Sequence, residues 1–233
     1  MHRDQRPPNR LLQALPAAEF EEIRQQLQIV ELSKDAILIE AGDTPSHVYF
    51  PHAGIVSLTV SLSEGQAVEV AMIGCDSVVG ASEALGDATS LTDATVLCPG
   101  IASALMVSDL RALAGRSAAF RDLLARHALA MFAQAQQSAA CNASHSVEER
   151  LSRWLLHARD LWDGETLPLT QERLARMIGV QRNAVSIVAH ALQQAGTLSY
   201  SRGQIEIIDA AALTEGACEC YRAVKARQAQ LLK

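Results

Sequence analysis

The pattern of apolar and polar positions marks a region of β-strands between residues 29 and 107. Short stretches of apolar residues are separated there by glycines, as strands are separated by turns. In the clearest stretch Val56, Leu58, Val60 and Leu62 alternate with serine and threonine, which predicts one buried and one hydrated face. Roughly seven or eight strands predict a sandwich or jelly-roll barrel, whose interior is either filled or open to one small ligand. The predicted turns lie at Gly42, Gly54, Gly65, Gly74, Gly80, Gly86 and Gly100.

Helical periodicity begins before this region and resumes after it. Residues 1–10 are polar with two prolines and are expected to be disordered, whereas Leu15, Phe20 and Ile23 mark a short amphipathic helix. From Ser108 to Ser144 the pattern predicts a long helix with a seam of 4-3-4-3 spacing, typical of a coiled coil. This seam could pair two subunits or pack on the β domain, and both readings stay open. Its members are Phe120, Leu124, His127, Met131, Gln134, Ser138 and Cys141.

A polar break at residues 142–146 separates this helix from the next one. Ser146 and Glu149 have the spacing of a capping box, which predicts the start of a helix that runs to residue 162. The break is therefore the expected hinge, and the fold class is α+β. The domains are a jelly-roll-like β domain at 1–107, a central dimerisation helix and hinge at 108–145, and a C-terminal domain at 146–233.

Two short helices joined by a glycine turn are predicted in the C-terminal domain. Thr170 is suited to cap the first, which carries Leu174 and Ile178 at helical spacing and ends before Gly179. The second has an apolar stripe that includes Val185. Such a pair is typical of a helix-turn-helix, whose second helix can enter a DNA major groove. An ordinary helical hairpin is the alternative.

The surrounding residues favour DNA over another protein as the partner of this helix pair. No Asp or Glu occurs from Arg173 to Ile205, and four arginines give this segment a charge of +4, suited to phosphates. A ligand-binding or scaffolding module that uses this domain for protein contacts is the alternative, but a protein-binding surface has no reason to exclude acids. The sequence LSYSRGQIEIID then predicts a hairpin with Arg202 at its tip, which completes a winged helix-turn-helix.

Charge is distributed unevenly along the 233 residues, whose net charge is −6. Residues 1–146 carry 9 Lys and Arg against 16 Asp and Glu, a charge of −7, while residues 147–233 carry 11 against 10, a charge of +1. This asymmetry supports two domains with different partners. Because no apolar run approaches the roughly 18 residues of a membrane helix and no signal peptide is evident, we expect a cytoplasmic protein without membrane contacts.

The cysteines predict neither a disulfide framework nor a metal site. Cys218 and Cys220 could bind a metal or respond to oxidants, but residues two apart do not share a helix face, which favours inert thiols. No catalytic constellation, phosphate loop or metal-ligand spacing is present, so neither an enzyme nor a cofactor is predicted. Reduced, buried thiols are expected at most of Cys75, Cys98, Cys141, Cys218 and Cys220.

The order of a short helix, a β-roll, a long helix, a capped hinge and a winged helix over residues 11–215 resembles the Crp/Fnr family of bacterial transcription regulators. The most specific likeness lies in LTQERLARMIGVQRNAVSIVAHALQQAG and VEERLSRWLL, with VYFPHAGIVSLTV and IGCDSVVG as weaker support. The resemblance implies a homodimer through the long helix that reads two-fold symmetric double-stranded DNA and senses a signal in the β-roll. RNA polymerase is a further candidate partner, and the small-molecule effector is left unassigned.

Carried over by position, the family's base contacts fall at the start of the second helix. Arg182 matches the arginine that many members use on guanine, whose O6 and N7 a guanidinium can bond together. Asn183 stands where members often have Glu, and Ile187 where cyclic-AMP-responsive members have Arg, which implies a different operator. The predicted DNA-binding residues are Thr170, Gln171, Gln181, Arg182, Asn183, Ser186, His190 and Arg202.

The β domain departs from the family's cyclic-nucleotide pattern. Responsive members hold the ribose with a Gly-Glu pair and the phosphate with an Arg-Ser pair, where this chain has Gly80-Ala81 and Leu91-Thr92. No Lys or Arg occurs between Asp35 and Leu110, against ten carboxylates, so gating by cyclic AMP is not expected. The N-terminal cysteine cluster of iron-sulfur members is also absent. Redox-responsive or haem-sensing variants are alternatives, the latter with axial ligands from His47, His52 or Cys75.

Overall fold

The computed structural model describes residues 6–63, 66–86 and 88–231. Two short helices precede a β-roll in which helix α3 lies between the fourth and fifth strands. The bounds are α1 (Arg10–Ala14), α2 (Ala17–Arg24), β1 (Gln28–Leu32), β2 (Ile37–Ile39), β3 (His47–Ser61), β4 (Ala67–Ile73), α3 (Ala81–Gly86) and β5 (Asp93–Met106). The predicted turn at Gly65 lies outside the described residues.

The β-roll has fewer and longer strands than the glycine spacing predicts. The described strands of the β-roll form one antiparallel sheet of order β1-β5-β3-β4, with β2 paired to β5. Gly54 and Gly100 lie inside β3 and β5, where the pairing register shifts. Gly54 has a φ of +92°, and a β-carbon on Gly100 would overlap the carbonyl of Ala53. These two glycines therefore bend long strands that stay paired, and the prediction of seven or eight separate strands is wrong.

The N-terminal segment is anchored on the β-roll as early as residue 9. The buried Asn9 side chain accepts hydrogen bonds from the backbone N–H groups of Leu11 and Leu12. Its amide group donates to the carbonyls of Pro51, at 2.9 Å, and Ser77, at 2.8 Å. The expected disorder is thus wrong for the described part of residues 1–10, because one side chain both caps α1 and ties it to the sheet.

The long helical region consists of two helices. They are α4 (Val107–Arg116) and α5 (Ala118–Ser144), and Ser117 between them caps α5 by accepting from the Phe120 N–H. The predicted seam faces the rest of its own chain: Phe120, Leu124 and Gln134 are buried, and Met131 packs on the β-roll. The assignment of this seam to a subunit interface is wrong, and packing within the chain is confirmed.

The opposite face of α5 is exposed and has the same spacing. Leu129 is 67% exposed and Phe132 is 61% exposed. Ala125, Gln136 and Ala139 continue this exposed stripe at intervals of four and three residues. The helix therefore carries two parallel seams two residues apart, of which one is buried within the chain and the other is exposed.

The C-terminal domain has the predicted winged helix-turn-helix order. The capping box of Ser146 and Glu149 is confirmed by both of its hydrogen bonds. The three strands of this domain form an antiparallel sheet of order β6-β8-β7. The bounds are α6 (Val147–Leu161), β6 (Thr166–Leu167), α7 (Gln171–Met177), α8 (Arg182–Gln194), β7 (Leu198–Ser201), β8 (Gln204–Ile207), α9 (Ala210–Glu215) and α10 (Cys220–Leu231).

The two domains share one hydrophobic core. Ile55 and Met72 of the β-roll lie in the same buried cluster as Trp154 and Leu155 of α6. Ser57, on the face of β3 predicted to be hydrated, is buried as well. The prediction is wrong for Ser57 because the C-terminal domain covers this end of the sheet, whereas Ser61 is exposed as predicted. It is also wrong for Leu62, which was expected on the buried face and is 50% exposed.

A buried carboxyl group lies at the centre of the domain contact. Glu69 of β4 accepts hydrogen bonds from the Trp154 indole N–H at 2.5 Å and from the Ser57 hydroxyl at 2.7 Å. Burial raises the pKa of Glu69 to about 8, against the opposing effect of these two bonds and of the guanidinium groups of Arg153 and Arg173. Glu69 is therefore largely protonated at neutral pH.

Glu69 predicts a specific pH dependence of stability. The unfolded chain loses this proton above its ordinary pKa of 4.5, whereas the folded chain keeps it until about pH 8. The free energy of unfolding should therefore fall across this window as pH rises, by at most about 1.4 kcal/mol per pH unit. Glu69→Gln, which keeps an acceptor for Trp154, should remove this decline in thermal melts. Glu31→Gln on exposed β1 is the control, and parallel pH profiles for wild type and Glu69→Gln would refute the assignment.

Candidate functional site

The turn between α7 and α8 has the geometry of a DNA-binding helix pair. The Thr170 side chain caps α7 by accepting from the Arg173 N–H at 3.2 Å. Gly179 has a φ of +66° in the turn, while Ala175 and Val185 are buried where the helices meet. The local prediction of a helix-turn-helix is confirmed.

The start of α8 presents the predicted base-contacting residues to solvent. Gln181, Arg182, Asn183 and His190 are exposed, and Ile187 is 72% exposed. Within the described part of the chain, the Arg182 and Asn183 side chains have no hydrogen bond or ion pair to protein groups. The first turn of α8 contains no acid and has no side-chain cap from Gln181. Its free backbone N–H groups and the helix dipole thus favour an anion at this end.

Two of the predicted contact residues bond to each other. The Ser186 hydroxyl donates to the side-chain oxygen of Gln171 at 2.6 Å, which joins α8 to the start of α7. The Gln171 backbone N–H lies 3.3 Å from the hydroxyl of Tyr200 on β7. Tyr200, which the sequence reasoning missed, connects the wing to the helix pair. No local pattern identifies this bond, because its two residues are far apart in sequence.

The wing is a tight hairpin between β7 and β8. Arg202, with a φ of +49°, and Gly203, with a φ of +76°, form its two-residue turn. Two successive positive φ angles are characteristic of a type I′ turn. The exposed Arg202 side chain lies at the tip, as predicted.

The four arginines of the basic segment are not equivalent. The Arg173 guanidinium lies 2.8 Å from the Asp35 carboxylate of the β domain, and its side chain is 27% exposed. Arg176 lies 3.9 Å from Glu172 on the same helix. The interpretation of all four as one phosphate-binding face is therefore wrong for Arg173. Arg182 and Arg202 remain on the surface of the helix pair and the wing.

A cavity of about 430 Å³ lies between the β-roll and α5. Its lining is mostly apolar, with polar groups from Ser82, Glu83 and Thr92, and it includes no Lys or Arg among the described residues. His127 also lines it, and burial lowers the pKa of His127 to about 4. The Nε2 atom of this neutral ring accepts from the Val78 N–H at 3.3 Å and lies 2.6 Å from the Ser77 hydroxyl. The cavity thus contains a carboxylate and no compensating cation.

The histidines proposed as haem ligands bond to neighbouring hydroxyl groups. His47 Nδ1 lies 3.0 Å from the Ser46 hydroxyl, and His52 Nε2 lies 2.8 Å from the Ser103 hydroxyl. Both side chains are half-buried, and hydrogen bonding of this kind is ordinary for structural histidines.

All five cysteines are free, and four of them are buried, as predicted. Cys75 is half-buried. Burial raises the pKa of Cys218 to about 12. The argument that Cys218 and Cys220 cannot share a face is wrong, because Cys218 precedes α10 and both contact the buried Cys141.

Among the described residues, no helix is both long enough and apolar enough to cross a membrane.

Comparison with known proteins identifies both domains. Residues 29–127 match the cyclic nucleotide-binding domain family, and residues 149–215 match the Crp-like helix-turn-helix domain family. No curated protein sequence matches the chain at a significant level.

Solved structures show the same fold at low sequence identity. A transcriptional regulator of the Crp/Fnr family from Eubacterium rectale is 16% identical, with 91% of this chain and 97% of that chain covered and a TM-score of 0.71. FixK2 from Bradyrhizobium japonicum is 18% identical, with 82% and 98% covered and a TM-score of 0.70. A CRP-family regulator from Thermus thermophilus is 18% identical, with 81% and 96% covered and a TM-score of 0.68. With its two matched domains in this order, the chain belongs to the Crp/Fnr family of DNA-binding transcription regulators.

Proposed function

We propose that this regulator is a homodimer that reads a two-fold symmetric DNA site with α8 and the wing, and that cyclic AMP does not gate it. The observation that carries the proposal is the start of α8. There an exposed arginine and an exposed asparagine stand beside free backbone N–H groups, with no acid in the first turn. This arrangement combines base-reading side chains with an anion-binding helix end.

The contacts divide into base readout and phosphate binding. Arg182 can bond O6 and N7 of guanine, and Asn183 suits N6 and N7 of adenine. Gln181 and His190 extend the exposed face of α8 on either side. Arg202 at the wing tip suits a backbone phosphate. Gln171 and Ser186 fix the angle between α7 and α8, and their remaining lone pairs and N–H groups are available to DNA.

The exposed seam of α5 is the proposed subunit interface. Leu129 and Phe132 are large apolar side chains in water on a helix of 27 residues, and small or neutral residues continue their stripe. A second copy of the same helix, related by a two-fold axis, would cover this stripe with an identical one. Two recognition helices would then face successive major grooves.

The cavity beneath α5 is the proposed effector site. A cyclic nucleotide carries a phosphate anion, and its burial without a cation costs several kcal/mol. Because Glu83 adds repulsion and neutral His127 offers no positive charge, the cavity suits a neutral, apolar or cationic ligand.

Replacement of Arg182 tests base readout. Arg182→Ala should cost about 1 to 3 kcal/mol on the selected operator and relax the preference at one guanine. The measurement is fluorescence anisotropy on that operator and on random duplex. Arg202→Ala is the matched variant, expected to weaken both duplexes alike and to lower the salt slope by about one phosphate contact. Equal losses on both duplexes for Arg182→Ala would show that this residue touches phosphate only.

Replacement of Leu129 tests the subunit interface. Leu129→Glu would bury two like charges near a two-fold axis, so sedimentation should show a monomer and operator affinity should fall with it. Ile29→Glu, which changes an equally exposed apolar residue of β1, should leave the dimer intact. A Leu129→Glu protein that remains dimeric would place the interface elsewhere.

Titration with cyclic AMP tests the effector proposal. Up to millimolar concentration, the nucleotide should change neither the melting temperature nor the operator affinity, since the cavity offers its phosphate no cation. Saturable stabilisation by a few degrees together with tighter DNA binding would overturn this expectation.

A further inference from the structure

Four side chains with metal-binding atoms converge at the hinge between the domains. Cys141 lies in the last turn of α5 and His145 directly follows this helix, while Cys218 precedes α10 and Cys220 is its first residue. Their Sγ and ring nitrogen atoms all lie within 4.8 Å of one another. Two distant parts of the sequence thus meet at one point, which explains why the spacing of the cysteines does not reveal it.

The distances match a tetrahedral centre. Zinc bonds of about 2.3 Å to sulfur and 2.0–2.1 Å to nitrogen place neighbouring ligand atoms roughly 3.6 to 3.8 Å apart. The Sγ atoms of Cys141 and Cys218 are separated by 3.5 Å, and Cys220 Sγ lies 3.6 Å from His145 Nδ1. A single ion therefore fits with small side-chain movements. A cluster of several iron atoms would hold some of its ligands farther apart, because the four would not all bind the same iron.

Neighbouring polar groups contact His145 and Cys220 as the outer partners of metal ligands do. The second ring nitrogen of His145, Nε2, lies 3.4 Å from the Glu219 carboxylate, so that Nδ1 is directed at the cysteines. A carboxylate behind a histidine is the common outer partner of metal-bound imidazole. The Gln137 amide also donates to Cys220 Sγ at 3.0 Å.

The composition of this cluster is unlike that of the cores. Its buried apolar members are the three cysteines alone, without the leucine, isoleucine or phenylalanine that fills the other clusters. Three thiols beside an imidazole contribute little apolar packing, but they form a Cys₃His donor set, one of the usual sets of structural zinc sites.

We propose that Cys141, His145, Cys218 and Cys220 form a four-coordinate site for one Zn²⁺-like ion. The ion would join the end of α5 to the start of α10. Because α6 begins two residues after His145, the site would also fix the hinge that sets the C-terminal domain on α5. This inference stands apart from the proposed DNA contacts, and its test does not require DNA binding.

The test measures metal binding by the full-length protein under reducing conditions. We expect about one zinc per chain by elemental analysis, and Co²⁺ added after chelation should give the thiolate charge-transfer and tetrahedral visible bands that Zn²⁺ abolishes. Cys218→Ser should weaken Co²⁺ binding by more than about 100-fold and Glu219→Gln by about 10- to 100-fold. Cys75→Ser, at a half-buried cysteine of the β domain, should bind as wild type.

A second measurement keeps the proposal testable where Cys218→Ser fails to fold. Chelation of the reduced wild-type protein should lower its melting temperature, and Zn²⁺ should restore it. Reduced wild type without zinc and without Co²⁺ bands would overturn the proposal. Iron with acid-labile sulfide in the protein would also overturn it. The same holds if Cys75→Ser loses as much Co²⁺ binding as Cys218→Ser. A Cys141–Cys218 disulfide in a protein that binds no metal after reduction would reassign the cluster to thiol chemistry.

Discussion

The position of the helix-turn-helix depends on the burial of α6 against the β-roll. Trp154 is almost fully buried there, and an indole that buries 150–250 Å² gains roughly 4 to 6 kcal/mol of transfer free energy at ~25 cal/mol per Å². The Glu69 carboxyl lies in the same contact, where an ionised form would lose its hydration. The apolar burial of the indole does not change with protonation, whereas the charge of Glu69 does. Glu69 therefore retains its proton, and its carboxyl oxygen still accepts the hydrogen bond from the Trp154 indole.

Helix α5 contacts both the β-roll and α6, and it also carries the exposed seam. Its buried seam packs on the β-roll and on α6, where the Gln134 amide lies 2.8 Å from the ring of buried His157. Its exposed seam is available for a second subunit. Phe132 belongs to both features, since it lines the cavity and is also a member of the exposed seam. A ligand in the cavity would therefore contact the helix that carries the proposed interface, without any intervening element.

Features set by neighbouring residues could be predicted from the sequence, and those set by distant residues could not. The Ser146 capping box, the Gly179 turn and the Arg202 hairpin each depend on a few adjacent positions, and all three are present. The spacing predicts that the seam of α5 is buried, but spacing alone does not tell which surface buries it. The sequence predicts a turn at Gly54, because it does not show that the strand continues beyond the bend.

The cysteine cluster and the Ser186–Gln171 bond show the same limit at the candidate sites. Cys141 and Cys218 are 77 residues apart, and only the fold brings their sulfur atoms together. The argument from helix faces is wrong for Cys218 and Cys220 because it places both residues in one helix, whereas α10 begins only at Cys220. Likewise, the sequence predicts the polar stripe of α8, but it does not show that the Ser186 hydroxyl bonds to Gln171 within the protein.

The contact between Arg173 and Asp35 shows which forces hold the DNA-binding domain in place. The Asp35 side chain is 59% exposed, and an ion pair in such a setting is worth only about 0 to 1 kcal/mol. The apolar core around Trp154 contributes several times as much free energy. The domain position therefore depends on apolar packing, and the ion pair forms as a consequence of that position. A shift of α7 away from the β-roll would thus lose little electrostatic energy at this point. It would also free the Arg173 guanidinium, which DNA phosphates could then engage.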